Sequence, residues 1–229
     1  MSTHHVPSPY EGTTIKHRQH LAISAYWFAT NFLWGALLVL MLPNEMRMLA
    51  PHYRVAALGL LTGIAAIVAL TVPLIVGALS DRCTSPRGRR RPYIIAGVTI
   101  NVIGLGLMAA AFTFADKIPS PPAGQEPGQW QTIGILLSHP GFLWFLLAFI
   151  VVQFGNNVAS AAYSGIIPDL IPEEQRGAAS GYMALMSQGG TLFGGVVVGF
   201  LLGKQPEWIK YGVLALVLAV VASVTIKGI

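Results

Sequence analysis

Apolar residues dominate six stretches of this chain, roughly 21–42, 55–79, 93–115, 141–167, 178–203 and 208–226, and the charged residues fall between these stretches or at their ends. An α-helix rises 1.5 Å per residue, so crossing a hydrocarbon core of about 30 Å takes about 20 mainly apolar residues. Each stretch is long enough or nearly so. None carries the polar face that an outer helix of a soluble bundle would need. A charge at the membrane centre costs about 2.5 kcal/mol or more, which accounts for the segregation. The pattern predicts an all-α integral membrane protein with six transmembrane helices.

The segments between the stretches orient them. Residues 1–20 form a polar tail, predicted to be cytoplasmic. The first apolar run exceeds the roughly 7–15 residues of a secretory signal and has no small-residue cleavage site, so it reads as a retained helix. With the N-terminus inside, the cytoplasmic side holds Lys16, Arg18, Arg82, Arg87, Arg89, Arg90, Arg91, Arg176 and Lys227, and the outer side holds Arg47, Arg54, Lys117, Lys204 and Lys210. Nine against five favours both termini in the cytoplasm, in a plasma (inner) membrane. The Pro- and Gly-rich loop 116–140 then lies outside, and its length predicts partial flexibility.

Composition adds mainly exclusions. Charged residues make up 10% of the 229, against about 25% in soluble proteins. The net charge of +5 therefore does not indicate nucleic-acid binding, because the flanking segments are too apolar for a soluble basic domain. The single cysteine, Cys83, excludes an intrachain disulfide or a cysteine-based metal cluster. The six histidines are scattered without metal-ligand spacing. No cofactor, phosphate loop or nucleophile–base pairing is predicted, so the chain does not read as an enzyme.

An internal repeat appears at an offset of 122 residues. RVAALG at 54–59 matches RGAASG at 176–181, VGAL at 76–79 matches VGFL at 198–201, and Asn31 falls on Gln153. Three crossings per copy invert the second relative to the first, a 3+3 inverted repeat. The repeats are assigned to 21–115 and 141–229.

Five of the fourteen basic residues crowd into one turn, LSDRCTSPRGRRRPYI at 79–94. Gly77 just before it, and Asp81 and Arg82 followed by Gly88, Arg89 and Arg90 within it, resemble the signature between helices two and three of the major facilitator superfamily. The insertion CTSPR at 83–87 departs from the commonest form. The longer run, with NN at 156–157 and PDLIPEEQRG at 168–177, is similar to sucrose–proton symporters of the glycoside–pentoside–hexuronide-like branch. The resemblance covers the N-terminal half of such a transporter and implies half of a major facilitator fold. It implies that Asp81 docks near a helix N-terminus of the opposite half when the cytoplasmic side is closed. Such a contact contributes about 0.3–1 kcal/mol. It also implies that the arginines pair with an acid at the end of helix four, for which Asp169 is the candidate. A purely topogenic role for the arginines stands beside the gating one.

Candidate solute contacts lie on two polar faces. In helix four, Gln153, Asn156, Asn157, Ser160 and Ser164 share one side of a 3.6-residue helix. In helix one, Trp27, Thr30, Asn31 and Trp34 do the same. Neutral amides and hydroxyls suit a polyhydroxylated ligand such as a sugar, and indole rings stack on its apolar faces. Polar side chains at membrane depth should face protein or a water-filled cavity. The alternative is interhelical hydrogen bonding, at about 0.6 kcal/mol per contact. Gly190, Gly194, Gly195, Gly199 and Gly203 in helix five predict close helix packing. The Gly-Pro-x-x-Gly-Gly motif associated with proton antiporters is absent there, which the resemblance turns towards symport or facilitated entry.

None of the six stretches contains a carboxylate, and the second offers only Thr62 and Thr71. A proton is the candidate coupling ion, with the coupling group expected elsewhere or coupling absent. The resemblance implies a small polar solute, the lipid bilayer and a second six-helix half as partners. That half would come from the same gene product beyond residue 229 or from another copy. A non-transport assembly or scaffold subunit is the remaining alternative.

Overall fold

The computed structural model describes residues 15–85 and 88–228. Most of the polar tail and Arg87 of the arginine turn lie outside the described residues. Six helices are long and apolar enough to cross a membrane: α1 (His17–Leu49), α2 (Arg54–Asp81), α3 (Arg91–Phe114), α4 (Pro140–Ser164), α5 (Glu173–Leu201) and α6 (Glu207–Gly228). The chain is an all-α, multi-pass integral membrane protein.

Two boundaries differ from those read in the sequence. α1 runs past the apolar stretch to Leu49, although Pro43 lacks the backbone N–H of a helix interior. A wide π-helical turn over Leu37–Met41 directly precedes the proline and accommodates it. α4 stops at Ser164 rather than near residue 167. Gly165 ends it, and a separate short helix, Ile166–Leu170, carries Asp169.

Packing is selective. α1 lies against α5 and α6, α4 lies against α2 and α3, and α3 lies against α6. Exchanging α1 with α4, α2 with α5 and α3 with α6 leaves this set of pairs unchanged. Glycines set the closest approaches. A methyl group on Gly97 would overlap the backbone nitrogen of Ala159, and one on Gly155 would meet that of Asn101, so α3 and α4 touch backbone to backbone. Gly190 and Gly194 of α5 do the same against the carbonyls of Phe28 and Phe32 in α1. Gly195 faces open space, so only part of the glycine stripe makes the contact.

One apolar cluster joins Leu42, Met46, Tyr53, Met108, Phe142, Phe145 and Tyr211. A second, containing Ile23, Tyr26, Ile94 and Tyr163, lies towards the other ends of α1 and α4. There the Tyr163 hydroxyl donates to the Ile23 carbonyl at 2.5 Å. α2 and α5 remain the least covered, with 22% and 17% of their most apolar windows buried, against 56% and 61% for α1 and α4. Leu70 and Leu74 on α2 and Leu192 and Phe200 on α5 are among their exposed side chains.

The loop expected to be partly flexible is anchored. The Ile118 N–H donates to Leu49 O at 2.8 Å. A helix over Gln129–Ser138 buries Leu136 completely. Its apolar residues follow the prolines and glycines that dominate the first half of the segment, which masks them in the composition.

Candidate functional site

The arginine turn leaves α2 at Asp81 and enters α3 at Arg91. Gly88 has φ +96°, a left-handed conformation that a side chain disfavours, and its N–H donates to Ser85 O at 3.1 Å. The reversal places Arg90 at the centre of a cluster. Its Nη2 lies 2.8 Å from Asp81 Oδ1, its Nε lies 3.0 Å from Asp169 Oδ2, and its Nη1 donates to Ser80 Oγ at 2.8 Å. Arg89 Nη2 adds a contact of 3.1 Å to the same Asp169 oxygen. The Arg90 side chain is 15% exposed and that of Asp81 is 59% exposed. Charge-assisted hydrogen bonds of this kind are the stronger ones, and one guanidinium here joins α2 to the segment after α4.

The remaining residues of the turn stand apart. Arg82 is exposed, and among the described residues neither Arg82 nor Arg91 pairs with a carboxylate. Gly77 has no atom within 4 Å of where a Cβ would stand, so its face of α2 is open.

A cleft of about 280 Å³ between α1, α2 and α4 gathers four of the nine residues on the two polar faces expected to contact solute. Trp34, Gln153, Asn156 and Asn157 line it together with Leu38, Thr62, Ala65, Ala66 and Phe149. Trp34 meets Phe149 edge-on, with ring centroids 6.4 Å apart. Gln153 Nε2 reaches Ala65 O at 3.4 Å, and Asn157 Nδ2 donates to Gln153 O at 2.8 Å. The side-chain oxygens of Gln153 and Asn156 are buried without a partner among the described residues. A buried amide oxygen left unpaired costs about 1–3 kcal/mol, which a donor from a ligand or a water would offset. Trp27 and Asn31 do not line this cleft. Asn31 Nδ2 donates to Trp27 O at 2.8 Å within its own helix, and Trp27 packs edge-on against Tyr163.

The sequence suggested helices without carboxylates, and the longer α1 overturns that. Glu45 lies four residues from its end and is fully buried. The Tyr211 hydroxyl of α6 donates to its Oε1 at 2.5 Å. Lys210, the residue before Tyr211, pairs with Glu207 at 2.8 Å. Ser80, Gly165 and Tyr211 also escaped the sequence reading. Ser80 adjoins the Asp-Arg signature and could have been included from that position. The other two act only through tertiary contacts.

The superfamily profile described as Major Facilitator Superfamily matches residues 21–227. The sucrose transport protein SUC4 of Arabidopsis thaliana is 27% identical over 215 residues, covering 91% of this chain and 37% of the plant protein. The sucrose transport protein SUT2 of Oryza sativa subsp. indica is 28% identical over 202 residues, 84% of this chain and 36% of its own length. The sucrose transport protein SUT3 of Oryza sativa subsp. japonica is 26% identical over 186 residues, 78% and 32%. The chain thus spans about a third of the length of these curated relatives. With six apolar helices, the Gly-Asp-Arg turn and a profile match that covers nearly its whole length, this chain belongs to the Major Facilitator Superfamily.

Proposed function

We propose that this chain forms the N-terminal six-helix half of a secondary transporter that moves a sugar or glycoside by alternating access. The observation that carries the reading is the cleft between α1, α2 and α4, where Trp34 offers an aromatic face beside two unpartnered buried amide oxygens. Sugar hydroxyls supply donors for those oxygens, and the pyranose face supplies an apolar surface for the indole. The names of the plant relatives agree with this chemistry.

Three features support the rest of the mechanism. The nine-to-five distribution of Lys and Arg supports a cytoplasmic arginine turn and cytoplasmic termini. The packing pairs of the fold are what two inverted three-helix repeats would give, which supports the division into 21–115 and 141–229. The exposed apolar faces of α2 and α5, with the open face at Gly77, suit a second six-helix half from the same gene product or another copy. Asp81 keeps most of its side chain exposed while held by Arg90. It is therefore free to meet a helix N-terminus of that half when the cytoplasmic side closes.

The test is uptake of radiolabelled sucrose and other glycosides into vesicles containing the native full-length product. Saturable uptake abolished by Asp81→Asn supports the reading. The absence of uptake for every sugar, with the protein folded and inserted, overturns it.

A further inference from the structure

Among the described residues, Glu45 has no cationic partner. Its side chain is fully buried between α1 and α6, among Leu42, Met46 and Tyr211. Oε1 accepts the Tyr211 hydroxyl, while Oε2 has no hydrogen-bond partner among the described residues. No lysine or arginine among the described residues pairs with it, and Lys210 is already paired with Glu207. An isolated carboxylate is strongly disfavoured in such surroundings, and the neutral acid is not.

The surrounding titratable groups leave one small ion to account for. From α6 come Tyr211, Glu207 and Lys210, and Glu207 and Lys210 carry opposite charges that pair with each other. The turn into α2 contributes Tyr53 to the same cluster. α5 and the turn after it present Val198, Gly199 and Gly203, none of which titrates. At the same end of α1 and α6, a cleft of about 180 Å³ is lined by Asn44, Arg47, Glu207 and Lys210 with Val198, Gly199 and Gly203. It gives water an approach to the Glu207–Lys210 pair, and Lys210 is the neighbour in sequence of Tyr211, which bonds Glu45.

We propose that Glu45 is a proton-binding site, with Tyr211 positioning its carboxyl group. A hydronium ion gives one proton to the carboxylate, forming the neutral acid and leaving a water molecule behind. Release returns the proton to water. This deepens the transport reading and rests on it in one respect: the bound proton is the coupling ion that the amide-lined cleft has no carboxylate to carry.

The test is infrared spectroscopy of the native full-length product in lipid vesicles, titrated with pH in the absence of sugar. The expected result is a carboxylic acid C=O band that persists at neutral pH and shifts to lower frequency in D2O. Glu45→Gln should remove this band, and Tyr211→Phe should move it by removing the hydrogen bond to Oε1. A wild-type spectrum without the band at neutral pH, or an identical band in Glu45→Gln, overturns the proposal. If Glu45→Gln does not fold, an unshifted band in Tyr211→Phe overturns it equally. Because no sugar is present, the band survives a failure of the sugar-transport reading, and sucrose uptake without the band removes the proton site alone.

Discussion

The guanidinium of Arg90 lies directly against Gly165, at a point where a methyl group would overlap its central carbon. Gly165 ends α4 with ordinary right-handed dihedrals, so conformational freedom does not explain the glycine. Space does. The absence of a side chain lets Arg90 cross from α3 to reach Asp169 while its other nitrogens hold Asp81 and Ser80.

Gly165→Ala should therefore displace Arg90 and weaken three contacts together. The expected loss is about 1–3 kcal/mol, the scale of losing a hydrogen bond to a charged group, lowered by the partial exposure of Asp81. Gly77→Ala is the control, since nothing lies near its would-be Cβ within this chain. Thermal unfolding in detergent should show a lower midpoint for Gly165→Ala and little change for Gly77→Ala. Equal midpoints would remove the steric account.

Gly194 and Gly195 are neighbours in sequence with opposite surroundings. A methyl group on Gly194 would overlap the Phe32 carbonyl of α1, whereas Gly195 faces open space. Gly194→Ala should destabilise the helix pair by about 1–3 kcal/mol through overpacking. Gly195→Ala should be neutral or gain up to about 1 kcal/mol from helix propensity. Guanidinium-free thermal melts of both variants, monitored by circular dichroism, decide between this asymmetry and an undivided glycine stripe.

In the amide-lined cleft, Gln153→Ala and Asn156→Ala each remove an oxygen available to a ligand hydroxyl. Under the proposed sugar-transport reading, each should weaken sugar binding by about threefold to tenfold, the equivalent of about 0.5–1.5 kcal/mol. Ser164→Ala should leave binding unchanged, because its exposed hydroxyl donates to Ser160 O of its own helix. Sugar titrations followed by tryptophan fluorescence check all three. A Ser164 effect as large as the other two would move the site away from this cleft.

Segregation of charge from apolar stretches made the six helices legible in the sequence, because the bilayer penalises every exception. The end of α1 was not legible, since Pro43, Asn44 and Glu45 look like a loop until the π turn before them and Tyr211 across from them are seen. The polar faces of α1 and α4 were legible as faces. Their partners were not: periodicity cannot tell that the Asn31 amide turns back to Trp27 while Gln153 spans to α2. The arginine turn announced itself by composition, but the role of Arg90 as its hub depends on Gly165, far along the chain.

The lone cysteine offers a test of orientation. Cys83 is free, half-buried and sits in the turn that follows α2. Under the proposed topology this turn is cytoplasmic, whereas Ser120, exposed in the segment between α3 and α4, lies on the other side. A membrane-impermeant maleimide should leave Cys83 unmodified in intact cells and label it in inverted vesicles. In a Cys83→Ser, Ser120→Cys variant the pattern should reverse, and Cys83→Ser alone should remain unlabelled in both preparations. Labelling of Cys83 from outside intact cells would invert the topology. It would also move the Asp81–Arg90–Asp169 cluster to the outer face, so that its proposed action on cytoplasmic closure could not stand.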